Sequence, residues 1–85
     1  MEYIAVAFRS RSHTIKFHEF LGRNGIPSEI INTPKEAGVG CGLSVKTIKE
    51  REIAVKALVY RSGLNSFAGV FSVKNVGGKR IVRSI

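Results

Sequence analysis

The only cysteine of the chain lies in a loop that is rich in glycine. Cys41 stands between Gly40 and Gly42 in the segment "NTPKEAGVGCGLSVK", and the chain of 85 residues has no other thiol. Glycine tolerates positive φ and close backbone approach, and it has no side chain to cover the sulfur. Backbone N–H groups and the charge of Lys35 would favour the thiolate, the nucleophilic form of cysteine. The segment therefore has the components of a reactive thiol at Cys41.

Two other interpretations of this loop have to be weighed. Free cysteine is among the residues most often buried as a small apolar side chain, and a tight turn between strands also uses glycine. Phosphate loops have a different pattern: a P-loop continues with Gly-Lys-Ser/Thr, and a dinucleotide-binding loop opens a helix. Here the glycines are followed by "LSVK", which is typical of a strand. The pattern excludes both phosphate loops and leaves a reactive and a buried cysteine open.

The segment "FRSRSH" places hydroxyl groups directly before a predicted helix. Ser10 or Ser12 can act as the helix N-cap, and the helix N-terminus with its adjacent arginines could instead bind an anion. Both serines are therefore candidates for supporting a thiolate if the cysteine loop folds back onto this helix. His13 is a candidate base at the same place. His13 and His18 lie on different faces of the helix, so the sequence indicates no metal site, and it indicates no cofactor.

The hydrophobic pattern predicts one domain, residues 1–85, of the α+β class. Strands alternate with two amphipathic helices in the order of the ferredoxin-like βαββαβ fold, an antiparallel sheet with both helices on one face. An extra strand, Arg80–Ile85, follows at the C-terminus. Phe67 and Phe71 lie four residues apart on one strand, which predicts a shared face in the core. The predicted elements are strands at Tyr3–Phe8, Glu29–Asn32, Leu43–Ile48 and around Phe67–Val73, with helices in "HTIKFHEFLGRNG" and "KEREIAVKALVYRSG".

The net charge of +8, with an excess of Lys and Arg over Asp and Glu, indicates a surface that attracts polyanions. Lys74, Lys79, Arg80 and Arg83 give the C-terminal hairpin a basic character that suits an acidic protein or nucleic acid, although cations on an edge strand also prevent aggregation. No apolar run reaches the length of a membrane span, and the N-terminus lacks the pattern of a secretory signal. We therefore expect a soluble cytoplasmic protein with no membrane partner.

Three short motifs together resemble a small bacterial family of selenium/sulfur carrier-like proteins. They fall between Tyr3 and Lys46, and their order and spacing are more specific than any one of them alone. The motifs are "F-x-S-x-[ST]" at Phe8, Ser10 and Ser12, "TP-[RK]" at Thr33, Pro34 and Lys35, and "CG-[LI]" at Cys41, Gly42 and Leu43. The resemblance implies that Cys41 carries persulfide sulfur or selenium.

The resemblance also implies partner proteins, one that donates the sulfur or selenium and one that accepts it. The chain has no second cysteine that could resolve a persulfide as an internal disulfide, so a carrier or accessory protein fits better than a complete enzyme. Two alternatives stay open: a basic module that binds nucleic acid without catalysis, and a regulatory or scaffold domain. The sequence sets no oligomeric state.

Overall fold

The computed structural model describes residues 1–85 as five strands and two α-helices. One-turn 3₁₀ helices at Lys35–Ala37 and Lys49–Arg51 precede the third strand and the second helix. The second and third strands have the bounds that the sequence predicted. The elements in chain order are β1 (Glu2–Phe8), α1 (Arg11–Arg23), β2 (Glu29–Asn32), β3 (Leu43–Ile48), α2 (Glu52–Ser62), β4 (Phe67–Val76) and β5 (Lys79–Ser84).

The strands form one antiparallel sheet in the order β2-β3-β1-β4-β5. This confirms the predicted α+β class with an additional C-terminal strand, which spans Lys79–Ser84 rather than Arg80–Ile85. Because β5 pairs with the outer edge of β4, the five-strand order is not that of a four-stranded ferredoxin-like sheet. Neither helix has the length and apolar composition that a membrane span needs.

The main hydrophobic core lies between the sheet and the two helices. Alternate residues of β1 point into it, and both helices contribute side chains to the same cluster, so the helices pack on one face of the sheet. Full burial of each large apolar side chain contributes about 1.5–3 kcal/mol to folding. The cluster contains Ile4, Val6, Phe8, Phe17, Leu21, Ile26, Val45, Val55, Leu58 and Val70.

The face opposite the helices is also largely buried. Ala5 and Ala7 of β1 point to this face and are fully inaccessible, as is Ser44 of β3. The loop between β2 and β3 lies against it: a Cβ on Gly40 would stand 3.4 Å from the Cβ of Ala7. The loop that holds the cysteine is therefore packed on the sheet.

A β-bulge changes the alternation of β4. The register shifts between Ala7, which pairs with Gly69, and Phe8, which pairs with Phe67. The extra residue turns the Phe67 ring toward the helix face, where its centroid lies 6.0 Å from that of Phe8. Phe71 pairs with Ala5, so its side chain lies on the face opposite the helices. The prediction that Phe67 and Phe71 share a face was therefore wrong, because it assumed an uninterrupted period of two.

Candidate functional site

Three loops meet where β1 ends. The N–H of Cys41 donates to the carbonyl of Phe8 at 2.9 Å, so the cysteine loop is attached to the last residue of β1. On the other side, the N–H of Arg9 donates to the carbonyl of Ser66 at 2.7 Å. The N–H of Ser10 donates to Ser66 Oγ at 3.1 Å. These bonds bring the β1–α1, β2–β3 and α2–β4 loops together around the start of α1.

Glycine is required at the position just before the cysteine. Gly40 has φ of +88°, and a Cβ there would stand 3.0 Å from the carbonyl oxygen of Phe8, the atom that accepts the Cys41 N–H. Gly42 also has positive φ, +95°, but its Cβ position is open. The carbonyl of Gly42 accepts the N–H of Thr33 at 2.8 Å, which closes the base of the loop. The two glycines thus set the path of the backbone on either side of the thiol.

The sulfur of Cys41 is half-buried beside the first turn of α1. Its Sγ lies 3.6 Å from Thr14 Oγ1 and 3.8 Å from the carbonyl oxygen of Leu43. Thr14 is fully buried and its hydroxyl lies 3.3 Å from the carbonyl oxygen of Ser10, to which it can donate. The thiol is therefore neither a core side chain nor freely exposed, and its polar neighbours come from α1 and from the start of β3.

The N-terminus of α1 has the predicted serine cap. Ser10 has extended backbone angles, and its Oγ accepts the N–H of His13 at 3.3 Å. The Oγ of Ser12 lies 3.3 Å from that of Ser10. The first turn of α1 holds no acidic residue and includes Arg11. The positive end of the helix dipole therefore lies at this end of the sheet, where it favours an anion.

Two side chains that the sequence proposed for the site, Lys35 and His13, form no hydrogen bond with the thiol. Lys35 lies exposed on its 3₁₀ turn and forms no hydrogen bond or ion pair with the thiol or with any carboxylate. His13 Nδ1 lies 2.6 Å from Ser66 Oγ, so one ring nitrogen is already paired. The structure thus places Cys41 between Gly40 and Gly42 and links it to Ser10 only through Thr14. Ser12 is paired with Ser10 and not with the thiol.

The loop is also anchored to the far edge of the sheet. The guanidinium of Arg80 on β5 donates to both carboxylate oxygens of Glu36, at 2.8 and 3.2 Å. This hydrogen bonding holds the pKa of Glu36 below its ordinary value of 4.5. The pair is exposed, and it joins the 3₁₀ turn of the cysteine loop to β5.

Sequence reasoning missed two residues of this site. Thr14 gave a signal, since a threonine three residues before Phe17 and seven before Leu21 lies on the buried face of the helix. Ser66 gave none, because its role depends on the meeting of two loops that are distant in sequence. No group of three or more His, Cys, Asp or Glu side chains converges to hold a metal ion.

Comparison with known protein families found one match. A family model described as "Putative Se/S carrier protein-like" matches residues 2–66, which include the cysteine loop, α1 and the loop before β4. Comparison with curated proteins and with solved structures found no significant match.

Proposed function

The chain belongs to the Se/S carrier protein-like family, and on that premise we propose that it carries sulfur or selenium covalently on Cys41. The observation that carries the proposal is the position of the single thiol. It is half-buried in a glycine loop and lies against the first turn of α1. A half-buried sulfur can meet a donor and still be protected from bulk solvent.

Loading is a thiol–persulfide exchange. The Cys41 thiolate attacks the outer sulfur of a donor persulfide, R–S–S–H, and forms a new S–S bond. The S–S bond of the donor breaks, and R–S⁻ leaves and takes up a proton from water. Cys41 is oxidised to Cys–S–S–H and the donor is reduced to a thiol, so the step needs no other oxidant.

Unloading is the same reaction in the other direction. An acceptor thiolate attacks the outer sulfur of the Cys41 persulfide, and the Cys41 thiolate leaves. The chain has no second thiol that could attack the persulfide from within and form a disulfide. This favours a carrier that hands its cargo to a partner over a complete enzyme, and we place it in the cytoplasm, where thiols are kept reduced.

Polar groups of α1 lie beside Cys41. The N-terminal turn of α1 carries a positive partial charge, which stabilises an anionic group placed beside it. The Thr14 hydroxyl can turn from the carbonyl of Ser10 to the sulfur when the thiol ionises, since the two acceptors are 3.3 and 3.6 Å away. Gly40 and Gly42 hold the sulfur at this place without side chains that would cover it.

The test asks whether persulfide loading depends on where the thiol lies, and not only on whether the protein has a thiol. Purified protein is incubated with cysteine persulfide, and intact mass reports the addition of one sulfur atom. Wild type should load and then release the sulfur to dithiothreitol, and Cys41→Ser should not load. In the control, Cys41→Ser is combined with Asn65→Cys, which moves the thiol to an exposed loop position. We expect loading of this control to be at least about tenfold slower.

Two results would contradict the carrier. Equal loading of the relocated thiol would mean that any exposed cysteine reacts in this way. Alkylation of Cys41 by iodoacetamide only after unfolding would mean that the thiol is structural. A parallel incubation with a selenotrisulfide, R–S–Se–S–R, tests whether Cys41 also accepts selenium. The Cys41 thiolate attacks the selenium atom, R–S⁻ leaves, and the product is Cys–S–Se–S–R.

A further inference from the structure

The hairpin of β4 and β5 forms a basic ribbon at one edge of the sheet. Residues 53–85 contain six Lys or Arg and no Asp or Glu. Four of these cations lie on the hairpin, and Arg80 is paired with Glu36. Lys74, Lys79 and Arg83 are exposed and form no ion pair. The charge is therefore concentrated on one element and is not neutralised there.

The three unpaired cations point to the same side of the ribbon. In the β4–β5 register, Arg83 lies opposite Ser72, Ile81 opposite Lys74, and Lys79 opposite Val76. Directly opposed residues share a face, so these six side chains all lie on the face that carries the helices. At the strand rise, Lys79 and Arg83 are about 13 Å apart along β5.

A groove of about 410 Å³ runs along this face. Lys74 and Arg83 line it together with Lys49, which lies just before α2 and is paired with Glu52. Its one acidic side chain is that of Glu2, which accepts a hydrogen bond from Ser72 Oγ at 3.0 Å. The groove is thus bounded by cations from the ribbon and from the turn before α2.

We propose that this ribbon face binds the sugar–phosphate backbone of duplex DNA. The major groove of B-form DNA admits a two-stranded β-ribbon, and unpaired Lys and Arg side chains on one face can then contact phosphates. Residues 74–85 contain no aromatic side chain. Single-stranded nucleic acid is bound largely by stacking on aromatic rings, so the composition favours a duplex. RNA duplexes have a major groove too deep and narrow for a ribbon.

The binding is expected to be independent of base sequence. With Lys74, Lys79 and Arg83 on phosphates, the β4 and β5 residues of this face include no Asn, Gln, Asp or Glu that could read base edges. This activity is separate from the proposed carrier function, because it does not use Cys41 and its loss would leave persulfide loading intact.

The test measures fluorescence anisotropy with a labelled mixed-sequence DNA duplex over a range of salt concentrations. Three phosphate contacts predict a slope of about −3 for log affinity against log salt. The ribbon variant Lys74→Gln/Lys79→Gln/Arg83→Gln should lose at least about tenfold in affinity at low salt and most of that slope. Glu2→Gln should tighten binding about threefold, since it removes the one acidic side chain in the groove.

A charge-matched variant separates the effect of the ribbon cations on DNA affinity from the effect of net charge. Lys16→Gln/Arg23→Gln/Arg61→Gln removes the same three charges from exposed helix positions and should change the affinity less than about threefold. An equal loss in both triple variants would overturn the proposal, as would equal or tighter binding of single-stranded DNA or of an RNA duplex. Displacement of DNA by poly-glutamate at equal charge concentration would indicate an acidic protein ligand instead, and no binding at low salt would exclude the site.

Discussion

The hydroxyl oxygen of Thr14 lies 3.6 Å from the sulfur of Cys41, although the two residues are separated by 27 positions in the chain. Thr14 is fully buried on α1, and its hydroxyl also reaches the carbonyl of the N-cap residue Ser10. A hydroxyl can donate to only one of these acceptors at a time. When the Thr14 hydroxyl donates to the sulfur of Cys41, it is therefore no longer available to the carbonyl of Ser10 at the helix N-terminus.

Replacing Thr14 with valine should slow the reaction of Cys41. The variant loses the hydroxyl that can donate to the thiolate, and a hydrogen bond of about 1 kcal/mol corresponds to a factor of about five in rate. The measurement is the rate of iodoacetamide alkylation of folded protein, followed by intact mass. Thr14→Ser is the matched control, because it keeps the hydroxyl. Equal rates for the valine and serine variants would show that this hydroxyl does not act on the sulfur.

Gly40→Ala should destabilise the cysteine loop more than Gly42→Ala. Both positions have positive φ, which costs a non-glycine residue about 1–2 kcal/mol. Only at Gly40 would the new Cβ also stand 3.0 Å from the carbonyl oxygen of Phe8. We therefore expect Gly40→Ala to lower the Tm further, by at least a few degrees, since about 1 kcal/mol corresponds to ~4–8 °C in a domain of this size. Equal Tm values would mean that the loop moves away from β1 at little cost.

Local patterns explain which parts of the fold could be predicted from the sequence. The strand bounds Glu29–Asn32 and Leu43–Ile48 follow from β-branched residues flanked by proline and glycine, and the Ser10 cap follows from its place before an amphipathic helix. These signals operate over a few residues. They predict the class of the fold and the end of α1 at which the site lies.

The rest depends on contacts between distant parts of the chain. The bulge that separates the faces of Phe67 and Phe71 is seen in the pairing of β4 with β1, next to Gly69, a glycine inside the strand that indicates a bulge but does not fix its register. The contact between Ser66 and His13 spans 53 positions, and that between Glu36 and Arg80 spans 44. Periodicity carries no information about such pairs. The packing of the cysteine loop on the sheet face opposite the helices, and its anchoring to β5, therefore could not be predicted from the sequence.

Ser66→Ala should destabilise the protein more than Ser28→Ala. Both serines lie beside a histidine Nδ1: Ser66 at 2.6 Å from His13 and Ser28 at 2.8 Å from His18. Only Ser66 also accepts a backbone N–H, that of Ser10. Its loss leaves a part-buried amide without a partner, which costs about 1–3 kcal/mol, whereas the other bond contributes ~0.5–1 kcal/mol.

Urea unfolding of the two serine variants and of wild type measures this difference directly. The free energy of unfolding should fall more for Ser66→Ala, with little change in the m-value. Equal losses would mean that water replaces Ser66 as the acceptor of the Ser10 N–H. The loops around α1 would then be held mainly by the backbone bonds of Arg9 and Cys41.

The ion pair between Glu36 and Arg80 should make the anchoring of the cysteine loop depend on pH. Hydrogen bonding to Arg80 lowers the pKa of Glu36 below 4.5. Because the folded pKa is the lower one, the stabilisation is fully present above the unfolded value and is lost as the pH falls through the folded value. The difference in Tm between wild type and Glu36→Gln should therefore be constant from about pH 7 to about pH 5 and should close below pH 4.5.

Thermal unfolding of Glu36→Gln and Glu50→Gln across this range separates the pair from the loss of one charge. Glu50 is exposed and forms no ion pair, so Glu50→Gln should differ from wild type by less than Glu36→Gln at every pH above 4.5. High salt should also reduce the Glu36→Gln difference, because both charged groups of the pair are solvent-accessible. A difference that stays constant well below pH 4.5 would show that the Glu36 carboxylate does not stabilise the loop through its charge.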